Sequence, residues 1–155
     1  MIIDSHAHIF SSLSGFGADG ELKPLDNGKA VWSNGEVIQL LPPNYAKTEF
    51  PIASLLSLMD DNNIDKAVLL QGGFLGFDNY GVYEAVKAHG DRITGAFTVD
   101  PFCRNADKIL SYLLSKDINA FKFEVSTGCG LMGIHHTFPL DGDMMYSIYK
   151  RLYGK

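Results

Sequence analysis

The 155-residue chain carries 46% hydrophobic and 20% charged residues, the balance of one ordinary globular domain rather than a disordered or fibrous chain. Its net charge of -5 leaves no basic footprint for a nucleic-acid partner, and no apolar run approaches the ~18 residues that span a membrane. Two cysteines, Cys103 and Cys129, are too few for a disulfide scaffold, and no basic segment leads into an apolar one at the N-terminus; both features predict a cytoplasmic protein.

In chain order, MIIDSHAHIF reads as a short buried strand. Residues 11–50 then lose periodicity and become rich in Gly, Ser, Asp, Asn and Pro. Within them, KAVWSNGEVIQLL places Asn34-Gly35 between two β-prone runs, the strongest short hairpin signal. This segment reads as an excursion with a hairpin, inside a single domain spanning 1–155. ASLLSLMDDNN predicts a helix ending near Asn62-Asn63, and IDKAVLLQGG a second strand. YGVYEAVKAHG predicts a helix with Gly90 at its C-terminal cap; His89 there complements the helix end. DRITGAFTVDP is a third strand stopped by Pro101. NADKILSYLLSKD is amphipathic, with Ile109, Leu110, Leu113 and Leu114 on one side. INAFKFEVSTGCG is a fourth strand. LDGDMMYSIYKRLYGK is a last helix, capped by Asp141 or Asp143 and ended at Gly154. Alternation of this kind predicts an α/β fold of right-handed βαβ units on a parallel sheet.

The opening strand raises the functional question. Asp4, His6 and His8 alternate, so they share one face of a strand, with the two histidine Cα atoms about 6.6 Å apart. Two imidazoles at that spacing can lean onto one ion, and Asp4 can support them. Five histidines in such a chain produce an H-x-H by chance roughly one time in eight, so the spacing alone is a weak signal. The end of the first strand of a parallel sheet is where sites of such folds lie, and the location strengthens it.

IIDSHAHIF resembles the opening of the amidohydrolase superfamily, whose D-x-H-x-H supplies two metal ligands from the first barrel strand. VWSNGEVIQLLPP, LLSLMDDNNIDKAVLL, AVKAHGDRITGAFTVDP and INAFKFEV are similar in order and spacing to the amidohydrolase-related group. That resemblance covers essentially the whole chain. It implies a parallel (β/α) barrel of the TIM type with a divalent metal, usually zinc, at the C-terminal ends of its strands. It also implies hydrolysis of a C–N or ester bond, or decarboxylation, of a small aromatic or carboxylated substrate. A full barrel needs ~250 residues. The four strands and four helices here therefore predict about half a barrel, without the family's later histidines and aspartate, and inactive by itself. Exposed sheet edges in such a half predict self-association into a homo-oligomer. Two other readings stand beside this one: a non-catalytic, self-associating half-barrel, and a metal-dependent deoxyribonuclease that shares the D-x-H-x-H opening. The acidic charge argues against the second.

Further candidates have a structural explanation beside the functional one. Lys122 and Glu124 on the fourth strand are a metal bridge or site lining, or else an interior ion pair. His135 and His136 contact substrate, or are a solvated loop pair. Trp32, with Tyr45 and Phe50, lines an apolar substrate or forms the excursion's own core. Gln71-Gly72-Gly73 and Asp100-Pro101 end strands at the expected site or simply turn the chain. Nothing marks Cys103 or Cys129 as a nucleophile.

Overall fold

The structure, a computed structural model, describes residues 1–116, 118 and 120–153. The chain begins with β1 (Ile3–Ala7), β2 (Gly15–Gly17), β3 (Gly20–Pro24), β4 (Lys29–Trp32) and β5 (Val37–Gln39). It continues through α1 (Ile52–Asp61), β6 (Lys66–Leu69), α2 (Asn79–His89), β7 (Ile93–Gly95), α3 (Ala106–Leu114), α4 (Leu131–Ile134) and α5 (Asp143–Leu152).

Among the described residues, β1, β6 and β7 form a three-stranded parallel sheet in that order, and β2 to β5 form a separate antiparallel meander. This corrects the expected half-barrel of four parallel βα units. The fourth strand is reduced to one parallel bridge, Phe97 to Phe121. Phe97 N–H donates to Ala120 O and Lys122 N–H to Phe97 O, each at 2.9 Å. Beyond that the backbone turns to its own loop. Leu131 N–H takes Glu124 O at 2.8 Å, and Gly130 N–H takes Ser126 Oγ at 3.0 Å. Local partners satisfy the groups that a ladder would have used.

The excursion is also larger than a hairpin. The Asn34-Gly35 turn joins β4 to β5, with Val31 opposite Val37 and Gly35 at φ 90°. Two further strands, β2 and β3, extend the pairing into four strands. Leu22, Ala30 and Trp32 from β3 and β4 bury with Phe10 and Leu13 as a small core of their own. The main core lies on the parallel sheet, where Ala67, Leu69 and Ile93 pack with Met59, Val82 and Phe97. A third cluster joins Val99, Leu110, Met145 and Ile148.

The helices follow their apolar periods. Leu110 and Leu113 are buried in α3, while Ile109 at its edge stays exposed. Asp78 caps α2, accepting from Gly81 N–H at 2.8 Å. Two expected caps differ. Gly90 ends α2 at φ -64°, not in the left-handed region, and α5 starts from Gly142 with Asp143 in its first turn. Gly154, the expected stop of α5, lies outside the described residues. The short α4 has no counterpart in the sequence reading.

Candidate functional site

Three steps along β1, Asp4 to Ala7, match two along β6, Ala67 to Leu69. One residue of β1 therefore bulges, a device that re-aims side chains near sites. Asp4, His6 and His8 nevertheless all line one cleft of about 930 Å³. It lies where β1 and β6 end and their chains turn away.

The polar end of the cleft is built around His8. Its Nδ1 is 2.8 Å from Leu70 O. A carbonyl only accepts, so Nδ1 carries the proton and Nε2 is left with a free lone pair. Burial lowers the His8 pKa below 6.5; the Leu70 hydrogen bond opposes this, and His6 and Lys122 add to it. Neutral imidazole with a fixed tautomer is the form that binds metals or accepts protons. The exposed His6 ring lies edge-on to His8, with centroids 4.9 Å apart. Asp4 Oδ1 accepts the backbone N–H of His6 at 3.0 Å, so this carboxylate braces the chain at His6 rather than its ring.

Lys122 and Glu124 reach the same cleft despite the missing strand. Lys122 Nζ lies 3.4 Å from Glu124 Oε2, and Ser126 Oγ donates to Glu124 Oε1 at 3.1 Å. This is the ion pair expected as the structural explanation for the two residues. Gly72 makes room for it: a β-carbon there would overlap the Glu124 carboxylate and sit 3.3 Å from Lys122 Nζ. The strand-ending glycine thus serves a side chain of the site.

The opposite wall is apolar. Leu40, Leu41, Tyr45 and Phe50 come from the end of the excursion, and Phe74 and Leu75 from the loop after β6. The place of Leu40 and Leu41 beside the histidines had no signal in the sequence. Trp32 is elsewhere, 7% exposed in the excursion's core and 6.0 Å from the Phe74 ring. His135 does not line this cleft. Its Nε2 sits 2.9 and 2.8 Å from the two oxygens of Asp100, under the Phe102 ring at 4.4 Å. His136 is exposed on the surface. Cys129 does line the cleft, but burial, Glu124 and Asp19 push its thiol pKa up, which opposes a thiolate nucleophile.

A divalent ion would find two imidazoles here, with the His8 tautomer already set by Leu70. That donor set suits an imidazole-binding ion such as zinc. Among the described residues, no three His, Cys, Asp or Glu side chains converge as a complete metal site. The fit is that of two ligands.

No family model matches the chain, and no curated protein matches it. Among solved structures it is similar to a probable 2-pyrone-4,6-dicarboxylic acid hydrolase from Acinetobacter baumannii with citric acid bound. Identity is 19% and the TM-score 0.50, over 97% of this chain and 45% of that one. A protein of Agrobacterium tumefaciens in its apo form is similar at 19% identity and TM-score 0.41, over 77% of this chain and 35% of that one. No helix among the described residues is long and apolar enough to cross a membrane. The chain thus spans less than half the length of either structure, and the first likeness shows a fold shared with part of a larger protein.

Proposed function

We propose that this chain carries the metal-binding and substrate-holding part of a metal-dependent hydrolase of the amidohydrolase-related group. The observation that carries the reading is the His6–His8 pair at the strand ends, 4.9 Å between rings, with His8 Nδ1 committed to Leu70 O. The fold shared with the Acinetobacter structure supports it.

In this reading, His6 and His8 are two ligands of a divalent ion, with zinc the expected one. When bound, such an ion polarises a carbonyl or lowers the pKa of a water. The chain's own residues do the rest. Leu70 O fixes the His8 ring. Asp4 braces the backbone at His6. Glu124, held by Lys122 and Ser126, presents a carboxylate to the end of the cleft where the reacting group of a substrate lies. The deoxyribonuclease alternative is disfavoured by this cleft, where the one lysine among the described lining residues is already paired with Glu124.

The test is zinc titration by calorimetry near pH 7.5, for the chain and for its His6→Ala/His8→Ala variant. About one ion per chain, lost in the folded variant, is expected. Undiminished zinc affinity in that variant would sink the reading.

A further inference from the structure

The charge and texture of the cleft say what kind of molecule it admits. Among the described residues, its carboxylates and ammonium are those of Asp4, Glu124 and Lys122. Two carboxylates there face one ammonium, and that ammonium is 3.4 Å from Glu124. The chain has three arginines, and none lines the cleft. Arg92 Nη1 is spent on Asp60 at 2.6 Å and Arg151 Nη1 on Asp107 at 2.9 Å. Arg104 lines a separate groove between α3 and α5. The fork that recognises carboxylates bidentately is therefore missing. A second carboxylate on a ligand would be desolvated beside Asp4 or Glu124 without a free cation, and such burial is costly.

The far wall offers the opposite chemistry. Tyr45 and Phe50 rings lie 6.0 Å apart, and Leu41 and Phe74 line the cleft with them. A cleft of about 930 Å³ is within the range of ligand sites, which are mostly apolar with a few orienting polar groups.

We infer that the substrate of this site has an uncharged, apolar body, an aryl or short alkyl group against Leu41, Tyr45, Phe50 and Phe74, with its one polar reacting group at His6 and His8. This rests on the reading of the cleft as the hydrolase site. It departs from the dicarboxylate named for the Acinetobacter protein, because among the described residues that line the cleft no cation is left unpaired to hold a second carboxylate.

The experiment compares two ligands built on the same ring, acetanilide and isophthalate, by ligand-detected NMR titration of the metal-free chain. The expected result is that acetanilide binds at least about tenfold tighter than isophthalate, roughly 1.4 kcal/mol. Leu41→Asp should abolish that binding and Tyr45→Ala weaken it, with circular dichroism confirming that each variant is folded. Isophthalate binding equally or more tightly, no saturable acetanilide binding, or acetanilide binding unmoved in both variants would overturn the inference. A zinc titration of the same preparation reports separately on the metal reading, since the ligand comparison needs no ion.

Discussion

Replacing Gly72 with alanine tests how the polar end of the cleft is assembled. Gly72 is not among the residues with positive φ, so its backbone accepts a β-carbon. The obstacle is the Glu124 carboxylate, with its Cδ 3.0 Å from the added atom. That group ends a flexible side chain, so it swings away and the backbone stays. The move breaks the Lys122 pair, whose partners are about a quarter exposed at 23% and 28%; such a pair is worth about 0–1 kcal/mol. It also breaks the Ser126 hydrogen bond, worth about 1 kcal/mol. Alanine returns about 0.4–1 kcal/mol by narrowing the unfolded ensemble. The net loss is about 1 kcal/mol, a fall in Tm of roughly 2–4 °C for a chain of this size. Thermal melts of Gly72→Ala, Glu124→Ala and the double variant form a cycle. The cost of Gly72→Ala should vanish when Glu124 is already alanine. An equal cost in both backgrounds would show that the glycine serves the backbone, and the account of the site would fail.

Three further outcomes follow from the packing and the titrating groups. Phe97→Ala empties a fully buried position at the bridge to Phe121; it should cost about 3–5 kcal/mol in denaturant unfolding, a large share of the roughly 5–15 kcal/mol that holds a domain together. Asp78→Ala removes the acceptor at the start of α2 and should cost about 0.5–2 kcal/mol, read by the same melts, whereas Asp78→Ser should recover most of it. His8 has a folded-state pKa below its unfolded value, so the unfolded chain binds more protons between the two. Stability of the metal-free protein should therefore be complete above about pH 6.5 and decline as the pH falls through the lowered folded value. His8→Asn, which keeps a donor for Leu70 O, should flatten that decline in melts from pH 7.5 to 5; an unchanged slope would contradict the assignment.

The parts of the fold that local chemistry decides were legible. Asn34-Gly35 specified its turn because glycine at φ 90° suits that position, and Leu110 and Leu113 faced inward because a 3.6-residue period put them together. The fourth strand was not legible. Phe121 to Val125 alternate as a strand should, but a strand exists only with a ladder partner, and Leu131 N–H takes Glu124 O instead. Trp32 shows the same limit on one side chain. Its pairing with Leu22 across β3 and β4 turns it into the excursion's core and away from the cleft. Asp100 and His135 meet from 35 residues apart, and neither has a local signal for the other.

The site divides along the same line. Strand alternation led to the expectation that Asp4, His6 and His8 share a face, and they do line one cleft, although β1 bulges between Asp4 and Ala7 and ends before His8. The groups around them come from distant chain: Leu70 O holds the His8 ring from 62 residues away. The apolar wall depends on one closure. Phe10 and Phe50 exchange both backbone hydrogen bonds, at 2.8 and 2.7 Å, two residues after His8. That bridge ties off the whole excursion and returns its apolar end, Leu40 to Phe50, beside the imidazoles. Closing a loop of this length costs only logarithmically more than closing a short one. A two-bond bridge backed by the burial of Phe10 can therefore hold it, and no periodicity in the intervening residues would reveal the closure. The excursion's composition says that it is irregular; the bridge at its base is what makes it one wall of the cleft.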